Sequence, residues 1–119
     1  MSESELESLT LVLLRRPPDA PDLPEERLDE IQAQHLAHLR EMADRGALVA
    51  SGPFGDQPDE SLRGMCLYRT DLEETRRLAE RDPAVRARRL AVDILTWWFP
   101  AGTVKYDASG VTLARSGVK

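Results

Sequence analysis

The chain has only two histidines, His35 and His38, three residues apart in the run "HLAHLREMADRGALVASGPFGD" (residues 35–56). The run closes on an acid, Asp56, just past the break at Gly52-Pro53. A carboxylate bonded to one imidazole nitrogen fixes the tautomer, frees the other nitrogen and raises the basicity of the ring. That is the apparatus of general acid–base catalysis. His35 and Asp56 are therefore the candidate catalytic pair, with His35 as base and acid and Asp56 as its orienter. Each also has a plainer reading. An inward histidine is often a core residue bonded to backbone, and "GDQPD" is turn chemistry in its own right.

Four further residues are candidates for substrate contact. Ser51 is close enough in sequence to donate a hydrogen bond within such a site, and Phe54 follows the Gly-Pro break, where it could line the mouth. Trp97 and Trp98 are adjacent, so on a strand they face opposite ways. One could form a stacking wall for an aromatic substrate, and both could equally be core or interface packing. The single cysteine, Cys66, has no internal disulfide partner and reads as a small buried hydrophobe. One cysteine and two histidines do not make a typical zinc cage. No metal and no cofactor is expected.

The elements that must position these residues follow from periodicity. "LTLVLLRR" (Leu9 to Arg16) is a buried strand, preceded by a polar, flexible segment over residues 1–8. "PPDAPDLP" places four prolines in eight residues and is a loop. From Glu25 to Arg45, Leu28, Ile31, His35, Leu39 and Met42 recur at helical steps, and Gly46 is placed to end the helix in a left-handed cap. At about 100° per residue, His35 lies near the middle of that apolar stripe and His38 at its margin, half-exposed. "ALVASGP" and "LRGMCLYRT" are two more strands. Thr70 and Glu73 match a capping box for a second helix, which Asp82-Pro83 interrupts. "RLAVDILTWWF" (Arg89 to Phe99) is the last strand, and residues 101–119 form an arm or a short hairpin around Asp107 to Gly110.

Strand, helix, strand, strand, helix, strand is the ferredoxin-like split βαβ order: an α+β fold whose antiparallel sheet carries both helices on one face. A chain of 119 residues has no third layer for the other sheet face, so a homodimer, closing a dimeric α+β barrel, is expected.

The net charge of −5 argues against nucleic acid or anionic membrane as partners, since both need clustered Lys and Arg. The locally basic run from Arg76 to Arg89 reads as a solvated helix face in preference to an anion site, and "RGMCLYRT" lacks the aromatic pattern of an RNA-binding strand. No apolar stretch approaches the roughly 18 residues of a membrane span. A cytoplasmic, reduced location is expected.

The histidine-led helix, the "SGP…D" segment, the strand opening at Arg63-Gly64 and "DLEETRRLAERDPAV" together resemble the YciI-like (YCII-related) proteins. The resemblance covers roughly Leu9 to Phe99, so that residues 9–100 form the domain. It implies a dimeric α+β barrel with a His–Asp active-site pair in its cleft. The family histidine falls on His35 and the family aspartate on Asp56, while Asp82-Pro83 matches a helix-ending pair whose role is structural or functional. Relatives include a dehydrochlorinase of a chlorinated hydroxyhydroquinone, and the wider superfamily holds muconolactone isomerases and cofactor-free monooxygenases. The resulting expectation is a cofactor-independent lyase- or isomerase-type enzyme, using His–Asp proton transfer on a small aromatic or conjugated metabolite. The alternative is a non-catalytic dimeric module that binds a small molecule or is purely structural.

Overall fold

The computed structural model describes residues 5–106. The chain runs β1 (Leu6–Arg15), α1 (Glu25–Asp44), β2 (Leu48–Pro53), β3 (Leu62–Tyr68), α2 (Leu72–Ala79), α3 (Pro83–Arg86) and β4 (Ala91–Pro100). The strands form one antiparallel sheet in the order β2-β3-β1-β4. This is the expected ferredoxin-like α+β order, with the second helix split in two.

β1 is central because it is apolar on both faces. Val12 and Leu14 point to the helices and lie in the core with Cys66 and Tyr68 of β3, Ile31 and Met42 of α1, and Leu78, Ala79 and Ala84 of the later helices. The alternate residues Leu11 and Leu13 face the other way, Leu11 level with Leu67 of β3 and Leu95 of β4, and Leu13 level with Met65 and Asp93. β1 begins at Leu6, earlier than the flexible segment over residues 1–8 would allow. The reason lies in β4, which continues to Pro100 and supplies Trp98, Phe99 and Pro100 as partners for Ser8, Glu7 and Leu6.

Helix α1 is closed as its sequence requires. Gly46 adopts φ 82°, the amide of Ala47 donates to the Met42 carbonyl at 3.0 Å, and the Gly46 amide donates to that of Ala43 at 2.9 Å. Those two bonds are the Schellman closure, which needs a left-handed residue that glycine adopts without strain. The N-cap of α2 is Asp71, not Thr70. The Asp71 carboxylate accepts from the Glu74 amide at 2.8 Å, while the Thr70 hydroxyl is engaged with that of Thr75.

The close approach of β2 to β3 depends on Gly64. A Cβ there would lie 2.6 Å from the Gly52 carbonyl oxygen. Of the expected C-terminal arm, residues 101–106 leave β4 through a turn closed by the Thr103 amide on the Pro100 carbonyl. The proposed hairpin around Asp107 to Gly110 lies outside the described residues.

Candidate functional site

His35 is brought into the interior by α1, as its place on the stripe requires, and it is 8% exposed. Its Nδ1 lies 2.7 Å from Oδ2 of Asp82, itself 3% exposed. The carboxylate that holds the imidazole is thus Asp82, and not Asp56. Asp56 is solvent-exposed, sits in the left-handed region at φ 61° and lies outside the wall of the cavity that His35 lines. Its backbone explains this. The last ladder bond of the edge strand joins the Phe54 amide to the Arg63 carbonyl, after which the chain turns away. Asp56 is the turn former that "GDQPD" describes, since aspartate tolerates the left-handed conformation better than most residues.

Asp82 is fixed from two sides. It is the N-cap of α3, its Oδ1 accepting from the Ala84 amide at 2.9 Å, with Pro83 in the first turn. Proline suits that position because its missing N–H would have had no helical partner. Its other oxygen remains for His35. A carboxylate at Nδ1 accepts the proton of that nitrogen and leaves the Nε2 lone pair available. Among the described residues, Nε2 makes no hydrogen bond, and it is not one of the sealed, unpartnered atoms of the interior.

His35 lines a cavity of about 540 Å³ between α1 and the sheet. Leu28, Ile31, Leu36 and Leu39 of α1 form one wall with His35, and Leu14, Ser51, Gly52, Pro53 and Gly64 contribute from the strands. Ala84 and Leu90 close the side nearest Asp82. Of the substrate-contact candidates, Ser51 is therefore in the wall. Phe54, Trp97 and Trp98 are not. Trp97 and Trp98 pair with Leu9 and Ser8, at the opposite end of the sheet from Leu14 and Arg16. Trp97 stacks at a tilt against Phe99, centroids 4.9 Å apart, while Trp98 is 60% exposed.

Three features escaped the sequence reading. The first is the contact of Asp82 with His35, since Asp82-Pro83 stands out in the sequence as the break between helices, an N-cap and proline pattern, and not as a partner of the imidazole. The second is His38, which is buried at 7% exposure, with an Nε2 that has no partner. Burial pushes its pKa down, with Asp82 pulling the other way and His35 adding to the depression. The third is Arg89, which leaves the solvated basic run to join the cavity wall with Arg16 and Arg63. Cys66 is the buried hydrophobe expected, its thiol pushed up to about 12 by burial and by the Asp82 charge.

Among the described residues, no group of three or more His, Cys, Asp or Glu is placed to hold a metal ion, and no helix is long and apolar enough to cross a membrane.

No curated protein matches the sequence. One solved structure of similar fold is the 5-chloro-2-hydroxyhydroquinone dehydrochlorinase of Burkholderia phenoliruptrix, in complex with 2,5-dihydroxybenzoquinone. It is 24% identical, with a TM-score of 0.50, over 75% of this chain and 92% of that one. The YCII-related domain matches residues 9–98, which takes in β2, β3, the greater part of β1 and β4, His35 and Asp82. By that match the chain belongs to the YCII-related family.

Proposed function

We propose that the protein is an acid–base enzyme acting on a small conjugated, oxygenated molecule, with His35 as the proton carrier and Asp82 as its orienter. The observation that carries this reading is the 2.7 Å contact between His35 Nδ1 and Asp82 Oδ2 beside a cavity of about 540 Å³. That volume suits a single aromatic ring with substituents. Nε2 takes a proton from a carbon made acidic by neighbouring oxygens, and Asp82 stabilises the imidazolium that results. The electron pair left on the substrate moves into the conjugated system. It then either expels a leaving group as an anion, or is reprotonated by the imidazolium at another carbon. The first course is an elimination and the second an isomerisation. The similar fold of a dehydrochlorinase whose ligand is a dihydroxyquinone supports this substrate class.

The working unit is proposed to be a homodimer. Leu11, Leu13, Leu67, Leu95 and Trp97 form a sheet face that the helices leave uncovered, and Leu95 is 45% exposed. A second copy laid on that face would close the barrel.

The test is turnover of chlorinated and unchlorinated hydroxyhydroquinones by the wild type and by His35→Gln, with folding checked by circular dichroism. Wild-type turnover that falls roughly 10²- to 10⁴-fold in the variant is expected. Undiminished turnover in His35→Gln overturns the role of His35. Tight binding without product in the wild type would make the protein a binding module instead.

A further inference from the structure

We propose that the His35 cavity is selective for a small organic anion, whose oxyanion is held by Arg16, Arg63 and Arg89 while its conjugated body lies along the apolar wall. The oxyanion would be a carboxylate or the ionised oxygen of a hydroxyquinone. This rests on the acid–base reading of the same site and supplies its substrate class.

The sheet brings the three arginines together. Arg16 follows the last residue of β1, Arg63 lies on β3, and Arg89 stands two residues before β4. Arg15 is level with Leu62 on one side and Ala91 on the other, so three neighbouring strands bring one arginine each to the same end of the sheet. The β1–β3 register is irregular between Leu14 and Arg15, and Arg63 sits at the skipped position. All three line the cavity, and no Asp or Glu does. The chain as a whole carries 21 acids against 16 Lys and Arg, so an acid-free wall with three cations departs from its average.

The bonds these arginines make leave their charges uncompensated. Arg16 Nε donates to the Arg89 carbonyl at 2.7 Å, an Arg63 terminal nitrogen to that of Glu60 at 3.0 Å, and one of Arg89 to that of Pro21 at 2.9 Å. Elsewhere Arg15, Arg27, Arg45, Arg76 and Arg77 pair with carboxylates. Among the described residues, none of the cavity three does. A guanidinium has five N–H donors in a planar fork that matches an oxyanion, so each retains donors for a ligand. The charged form of Arg16 is disfavoured by burial and then by Arg89 and Arg63, a repulsion that a bound anion would relieve.

The anchor also suits the chemistry. A conjugated ring fixed at its oxyanion by several donors presents a defined carbon to His35, and the fixed positive charges stabilise negative charge that develops on the ring as the proton leaves.

The test is equilibrium binding by calorimetry to the full chain, using 2,5-dihydroxybenzoquinone, 2,5-dihydroxybenzoate and neutral hydroquinone. The probes separate the two sources of oxyanion. Either anion should bind at least roughly tenfold tighter than hydroquinone, with affinity falling as salt rises. Arg16→Gln and Arg63→Gln should each weaken that anion roughly ten- to hundredfold and leave hydroquinone unchanged. Arg16→Lys, which keeps charge but loses the fork, should recover part of the loss. Equal binding of neutral and anionic probes overturns the proposal, as does anion binding indifferent to the arginine variants while they remain folded. His35→Gln separates the two readings. Anion binding kept in that variant, with no turnover even in the wild type, leaves the anion site standing and removes the enzyme. Turnover of hydroquinone with no preference for anions does the reverse.

Discussion

His35 Nδ1 and Asp82 Oδ2 are 2.7 Å apart inside the protein, although 47 residues separate them in the chain. The same carboxylate caps α3 through Ala84, so one side chain both closes a helix and holds an imidazole.

Those two duties can be separated. Asp82→Asn keeps an acceptor for the Ala84 amide but loses the negative charge facing His35, so turnover should fall strongly with modest loss of stability. Asp82→Ala removes both and leaves His35 without its buried partner, for a combined cost of about 2–4 kcal/mol. Asp56→Asn should change neither. Urea titration and steady-state kinetics on the three variants check this.

His38 should make the fold acid-sensitive. Its pKa is lowered in the folded chain from an ordinary 6.5, chiefly by burial. Above pH 6.5 both folded and unfolded chains hold it neutral, and its contribution to stability is level. As pH falls below that, the unfolded chain takes up a proton that the folded one refuses, so stability declines until the folded pKa is passed. The slope is at most about 1.4 kcal/mol per pH unit. Melting temperatures between pH 7 and pH 5 should fall in the wild type and fall less in His38→Leu.

Gly64→Ala should loosen the edge of the sheet. The added methyl meets the Gly52 carbonyl oxygen at 2.6 Å, a contact with backbone that no rotamer change relieves. A loss of roughly 1–3 kcal/mol is expected. Gly52 and Gly64 both line the cavity, so ligand affinity should drop too, and amide exchange along β2 should quicken.

Leu95→Glu tests the second copy. It places a charge on the uncovered sheet face, at a side chain already 45% exposed, so a monomer should bear it with little penalty. A homodimer buried on that face should dissociate. Sedimentation equilibrium of wild type and variant distinguishes the outcomes.

The strand and helix order was legible because each element carries its own period. The alternation of Val92, Ile94 and Thr96 against Asp93, Leu95 and Trp97 defines β4, and the α1 stripe turns His35 inward. His38 was misplaced because the apolar stripe marks only the sheet-facing side of α1. The helix also packs against α3, which widens its buried sector beyond what Leu and Ile reveal. The pairing of His35 was lost for a related reason. Asp56 lies near it along the chain, whereas Asp82 reaches it only once α3 has packed against α1, and no local pattern records that return. The arginines at the sheet end were invisible individually, since their meeting depends on the register of three strands.

The long separation of His35 and Asp82 bears on biosynthesis. A nascent chain has already made β1, α1, β2 and β3 before position 82 is translated, and until then the histidine has no counter-group. On the proposed mechanism, a chain truncated before α3 would lack the carboxylate that orients His35, however much of the sheet it retains. Activity would report that the last third of the polypeptide has docked.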